Sequence, residues 1–207
     1  MSHELLPFLE PCERYGQRCG GPVLLVGAVL GSGVVQLVSG PLGQTSRFSL
    51  ELLILLMLKL TGPLLVAILA MALLLPHWLP GERKSVPVVQ IVLAAALVGA
   101  LLQLMLLLAA LGGGLLASPR ADLVGEWRDL LSGLRLGDVL RSMVRAALFL
   151  ACICGWTIWR TGAGHASLRH RELLTSNLLV EGVMVLMGLK LAWIMVVEPL
   201  RVSASPQ

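Results

Sequence analysis

Five long apolar runs decide what this chain can fold into. They lie at about residues 21–40, 50–75, 88–112, 139–159 and 174–197 of a 207-residue sequence. Each is long enough to cross a hydrocarbon core of ~30 Å at a rise of ~1.5 Å per residue. Inside such a core every backbone N–H and C=O must find its partner within the protein, so separate runs of this kind have to be helices. The balance of the chain agrees, with 57% hydrophobic and 14% charged residues, where a soluble domain carries roughly 25% charged. The reading is one all-α integral membrane domain over residues 1–207 with five transmembrane helices, since no hydrophilic stretch is long enough for a second domain.

The flanks add detail. Glu4, Glu10 and Glu13, with Pro7 and Pro11, interrupt any apolar stretch of a secretory signal. Leu5, Leu6, Phe8, Leu9 and Tyr15 alternate with those charges, so residues 1–20 read as a segment lying in the membrane interface. The prolines argue against one continuous helix there. In residues 113–138, Leu123, Trp127, Leu130, Leu131 and Leu134 fall at three- and four-residue spacing. That spacing predicts a short amphipathic helix resting on the outer interface. With the N-terminus in the cytoplasm, the inner flanks hold Arg14, Arg18, Arg83, Lys84, Arg160, Arg169 and Arg171. The outer flanks hold Arg47, Arg120, Arg128, Arg135 and Arg201. This asymmetry favours N-in and C-out.

Several function classes drop away. A net charge of +4 without a basic stripe and stacking aromatics gives nucleic acid no footing. Cys12, Cys19, Cys152 and Cys154 do not make a disulfide framework, and Cys152 and Cys154 read as small buried hydrophobes. His3, His77, His165 and His170 are scattered, and no catalytic or metal-ligand spacing occurs. No catalytic residue, metal or cofactor is expected. A phosphate-binding loop is also missing, so any ATP-driven step belongs to another chain.

Charge inside an apolar run costs several kcal/mol unless it is paired or wet. Lys59 and Lys190 sit in the second and fifth runs, each ~10–15 Å below the outer face by helical rise. Two lysines at that depth can line a cavity for an anionic lipid headgroup, or each can snorkel or pair within the bundle. Glu181 is over two turns from Lys190, and Glu51 is eight residues from Lys59. Arg141 and Arg145, four apart, share a face and extend a cationic rim, with Asp138 capping the start of their helix. Gly27 and Gly31 form a G-x-x-x-G pair, repeated in kind by Ala95 and Gly99. Such pairs serve either a subunit seam or packing within one chain.

These segments together resemble the MlaE/YrbE family, permeases of ABC transporters that work with MCE proteins in lipid transport. Leu58-Lys59-Leu60-Thr61-Gly62-Pro63-Leu64 is similar to the family's L-R-E-L-G-P-V, matching at Gly62 and Pro63 with Lys59 for arginine and Leu60 for glutamate. Asp138, Arg145 and Phe149 keep the spacing of D-L-x-x-G-x-x-K-S-x-x-F, and Ala151-Cys152-Ile153-Cys154-Gly155 resembles A-C-Y-x-G. Thr161-Gly162-Ala163-Gly164 looks like the glycine-rich turn that follows. Gly188-Leu189-Lys190 stands where the family has G-L-D, which reverses a charge.

One departure is large. About thirty family residues that form the cytoplasmic coupling helix have no counterpart here, and only Pro76 to Ser85 separates the second and third runs. Pro76, Pro80 and Gly81 oppose a helix, leaving His77, Trp78, Glu82, Arg83 and Lys84 in a reduced loop. The resemblance implies a permease-like subunit in a bacterial inner membrane that moves phospholipid or another lipid between that membrane and the periplasm. Its implied partners are an ABC ATPase, an MCE-domain protein, membrane lipids and a second, complete permease chain that supplies the missing grip. Lys59, Lys190, Arg141 and Arg145 are the headgroup candidates; Gly27, Gly31, Gly62 and Pro63 are the packing or seam candidates. A non-transporting accessory subunit of an MCE assembly is the alternative.

Overall fold

A computed structural model describes residues 6–39, 52–78, 87–117, 136–162 and 171–204. Every element among them is helical: α1 (Leu6–Ser39), α2 (Leu52–Leu58), α3 (Gly62–Trp78), α4 (Val88–Ala117), α5 (Leu136–Gly162) and α6 (Arg171–Ala204). α1, α4, α5 and α6 each carry a stretch long and apolar enough to cross a membrane, and α2 with α3, bent at their junction, is a candidate for a fifth span. The protein is therefore an all-α, membrane-embedded chain.

α4 is the centre of the bundle. It packs against α1 on one side and α5 on the other, while α3 touches α5, α6, α4 and α1. α6 lies against α3 and α5. Half of α4's apolar window is buried, but only 22% of α1's or α6's, so these two outer helices leave most of their surface outside the bundle. Val29, Leu37, Met184, Leu191 and Met195 are among the exposed side chains.

Contacts fix the helix directions. Gly27 meets Leu106 and Gly31 meets Ala110, so α1 and α4 run parallel. Gly99 meets Ala146 and Leu150 while Gln103 meets Ser142, so α5 is antiparallel to α4. Gly182 meets Ile153 and Trp193 meets Phe149, so α6 is antiparallel to α5. The start of α1 and the end of α6 thus lie at opposite ends of the bundle.

The α1–α4 seam is built from small residues. Side chains at Gly27, Gly31 or Gly113 would run into the backbone or Cβ atoms of the facing helix. Close backbone approach of this kind is how helices gain dispersion contact where lipid offers no hydrophobic drive.

Four expectations need correction. Residues 12–20 are not set apart from the first span; α1 is one helix of 34 residues. Its buried positions Tyr15, Cys19, Val23, Gly27, Gly31 and Val35 recur every four residues straight through the expected boundary. Pro7 falls in the first turn, where no intrahelical N–H partner is needed. The second run is not one straight helix, because α2 and α3 meet at 52°. Nor does it turn at Pro76, since α3 carries Pro76 in its last turn and ends at Trp78, buried beside Tyr15. Finally, Cys154 is buried but Cys152 is exposed. The amphipathic element expected around Leu123 to Leu134 lies outside the described residues, as α4 extends to Ala117 and α5 begins at Leu136.

Candidate functional site

The site begins with a proline. Pro63 has no N–H to offer the Lys59 carbonyl, and its ring crowds that carbonyl. The chain answers by widening into a π turn over Leu56–Leu60. Thr61 closes the turn by donating both its N–H and its hydroxyl to the Leu56 carbonyl, at 2.9 and 3.2 Å. The Leu65 N–H then donates to the Thr61 carbonyl at 2.9 Å and α3 proceeds. A break in a spanning helix leaves carbonyls that neighbouring helices must satisfy.

Gln103 of α4 supplies that help. Its Nε2 lies 3.5 Å from the Met57 carbonyl and donates to Ser142 Oγ of α5 at 3.0 Å. Gln103 is 1% exposed. Gly62 makes room for it, because a Cβ there would sit 2.6 Å from Gln103 Nε2. A carbonyl can only accept, so the Met57 contact fixes which way the amide points. Among the described residues, no donor reaches Gln103 Oε1. One side chain therefore ties together the broken span, α4 and α5.

Cations lie next to this tie. Arg145 is one turn along α5 from Ser142 and is 8% exposed. Its guanidinium carbon stands 5.3 Å from the centroid of the Trp193 ring of α6. That ring meets Phe149 edge to face, with centroids 6.5 Å apart. Lys190 precedes Trp193 by three residues, on the same face of α6, and is also 8% exposed. Gln103, Ser142, Arg145, Trp193 and Lys190 form a polar layer inside the bundle.

The other candidates divide. Lys59 falls within the π turn; its side chain is outside the described residues, as is Glu51. Arg141 does not join Arg145 in one rim: it is exposed and pairs with Asp138 at 3.6 Å. The buried stripe of α5 runs through Ser142, Arg145, Ala146, Phe149 and Leu150, and Arg141 sits at its edge. Asp138 lies in the first turn of α5, two residues past its start, not at the cap. Gly27 and Gly31 are spent on α4, within the chain. Glu181 pairs with Arg160 at 3.6 Å, toward the opposite end of the bundle from Asp138. Pro76, His77 and Trp78 belong to α3, whereas Glu82, Arg83 and Lys84 lie outside the described residues.

Depth follows from the helical rise. Ser142 lies four residues and Arg145 seven residues beyond Asp138 on α5, about 6 and 10 Å along the axis. The layer thus sits roughly a headgroup's length beneath the exposed Asp138–Arg141 pair.

Sequence reasoning missed Gln103, Ser142 and Trp193. An amide in the middle of the most apolar run was the available signal for Gln103, since an unsatisfied amide there costs several kcal/mol. Nothing in the spacing marked Trp193 as the partner of Arg145. Among the described residues no group of His, Cys, Asp and Glu is placed to hold a metal. A separate groove of about 330 Å³ runs between α1 and α4, lined by Ala28, Ser32, Gln36, Gly113 and Leu116; it includes none of the cations. No protein-family model, curated protein or solved structure matches the chain.

Proposed function

We propose that this chain is a permease-like subunit that handles anionic lipid, and that its headgroup contacts lie in the Arg145–Trp193–Lys190 layer. The observation that carries the reading is two cationic side chains, each 8% exposed, on facing helices inside a membrane bundle. Ionisable groups at that position are costly; they are kept where they pair with neighbours inside the bundle and mark a substrate or ion pathway. Lys59, in the π turn, is the third candidate contact. Transport then works by differential affinity: one state holds the headgroup and the other releases it.

The resemblance to MlaE/YrbE permeases supports the wider assignment. In it the protein sits in a bacterial inner membrane with the Asp138 end toward the periplasm. A second permease chain grips the ABC ATPase, and an MCE-domain protein receives or delivers the lipid. The burial of Trp78 at the end of α3 is compatible with a chain that contributes walls to a lipid path and leaves motor coupling to its partner.

The test is photocrosslinking in membranes. A photoreactive residue at position 190 should capture phospholipid well above the levels at 191 and 195, which face outward. Equal capture at all three positions refutes a headgroup site and leaves an accessory role. Native mass spectrometry of the tagged complex should count one copy of this chain beside one different permease. Two copies of this chain and no other permease would overturn the pairing.

A further inference from the structure

We infer that the lipid class handled by this layer is a phosphodiester whose headgroup is uncharged and carries free hydroxyls, such as a glycerol headgroup, in preference to an ammonium headgroup. The inference deepens the reading above and rests on it. It starts from Gln103. Both N–H groups of the amide have acceptors, one toward the Met57 carbonyl and one toward Ser142 Oγ. What remains is Oε1, buried and without a donor among the described residues. That oxygen can only accept, and leaving a buried acceptor unused is costly. Bulk water is not at hand in a membrane interior to fill the place.

The position of this acceptor decides what fills it. Ser142, which holds Gln103, is three residues from Arg145 on the buried stripe of α5, and such residues are neighbours on a helix surface. A phosphate drawn to Arg145 and Lys190 therefore brings its headgroup substituent beside Gln103. Two kinds of headgroup carry a donor for Oε1: a hydroxyl and an ammonium. The ammonium arrives with positive charge beside an arginine and a lysine in a low-dielectric interior, where like charges repel most strongly. The hydroxyl donates the same hydrogen bond without that penalty.

Three probes with identical acyl chains separate the possibilities. Phosphatidylglycerol and phosphatidylethanol are both singly charged diesters, and they differ by the two headgroup hydroxyls and one carbon. Phosphatidylethanolamine adds the ammonium. Binding to the purified full-length protein, by native mass spectrometry in a neutral detergent, should follow phosphatidylglycerol, then phosphatidylethanol, then phosphatidylethanolamine. The first interval should be about ten-fold, the worth of one well-made hydrogen bond at a buried acceptor. Q103M should bring phosphatidylglycerol down to phosphatidylethanol while both stay ahead of phosphatidylethanolamine. Equal binding of phosphatidylglycerol and phosphatidylethanol to the unsubstituted protein, as when a trapped water serves Oε1, overturns the hydroxyl inference and leaves the anionic-lipid reading standing. No advantage of phosphatidylethanol over phosphatidylethanolamine overturns the reading beneath it. Because the unsubstituted protein decides both points, a Q103M chain that fails to fold does not blunt the test.

Discussion

The same substitution, glycine to alanine, should change stability in opposite directions at two positions one residue pair apart on α1. At Gly31 an added methyl meets the backbone carbonyl of Ala110. Backbone cannot rotate away, so the helices themselves must part. Gly27 shows the scale: a Cβ there would lie 2.8 Å from the Leu106 carbonyl oxygen and 2.9 Å from Ala109 Cβ. Restoring ordinary contact needs about half an ångström there and more at Gly31. A gap of ~0.5–1 Å forfeits a quarter to a half of the dispersion energy of the atoms it separates. Overpacking of this kind costs ~1–3 kcal/mol. Alanine recovers ~0.5–1 kcal/mol through its better helix propensity. Gly31→Ala should therefore lose about 1–2 kcal/mol net. Gly33, with nothing within 4 Å of its added Cβ, should keep the propensity gain alone.

Thermal denaturation in a fixed detergent reads this difference. Cys19 and Cys154 are buried, so a thiol-reactive dye reports loss of the bundle once Cys12 and Cys152 are replaced. At ~2–4 °C per kcal/mol for a chain of this size, Gly31→Ala should melt lower by roughly 2–8 °C and Gly33→Ala higher by roughly 1–4 °C. Shifts of the same sign and size would refute the packing argument. A Gly31→Ala protein of unchanged melting temperature but altered subunit count would return the glycine pair to a seam between chains.

Pro63→Ala restores a donor for the Lys59 carbonyl and should straighten the bent span. With 52° between its arms, spin labels at the exposed positions Leu52 and Ala72 should move apart by roughly 3 Å at ~1.5 Å rise per residue; an unchanged distance refutes proline as the cause. A double-mutant cycle with Arg145→Met and Trp193→Leu should give a coupling of ~0.5–2 kcal/mol for the stacked pair, and a value near zero says the rings and guanidinium merely coexist. Glu181→Gln should cost less than ~1 kcal/mol, because both side chains of the Arg160–Glu181 pair are about half exposed; a larger loss in the same melting assay would mark it as a structural clamp.

The all-helical, membrane-embedded class was legible because hydrocarbon leaves a chain of separate apolar runs few other choices. Boundaries were less so. The apolar count at Gly21 suggested a start for the first span, yet Tyr15 and Cys19 bury on the same stripe as Gly27 and Gly31. A helix end is set by where contact with neighbours stops, and average hydropathy does not encode contact. The bend was written in the sequence as Pro63. It was overlooked because Gly62 and Pro63 read as a packing motif and the apolar run continues on both sides.

The polar layer was half legible for a related reason. Sequence position gives depth in the membrane, since each residue advances ~1.5 Å, and depth singled out Lys190. Rotation about the helix axis is a different coordinate. Arg141 and Arg145 are separated by one turn plus about 40° at 3.6 residues per turn. On an isolated helix they share a face, but the contact stripe on α5 is set by α4 and α3, and it takes in Arg145 while leaving Arg141 at the surface with Asp138. The choice between them is made by Gln103, Gly62 and Trp193, on three other elements, each of which looks unremarkable alone. A polar layer assembled across α2–α3, α4, α5 and α6 is therefore hidden from motif spacing and shows itself only through burial and hydrogen bonding together.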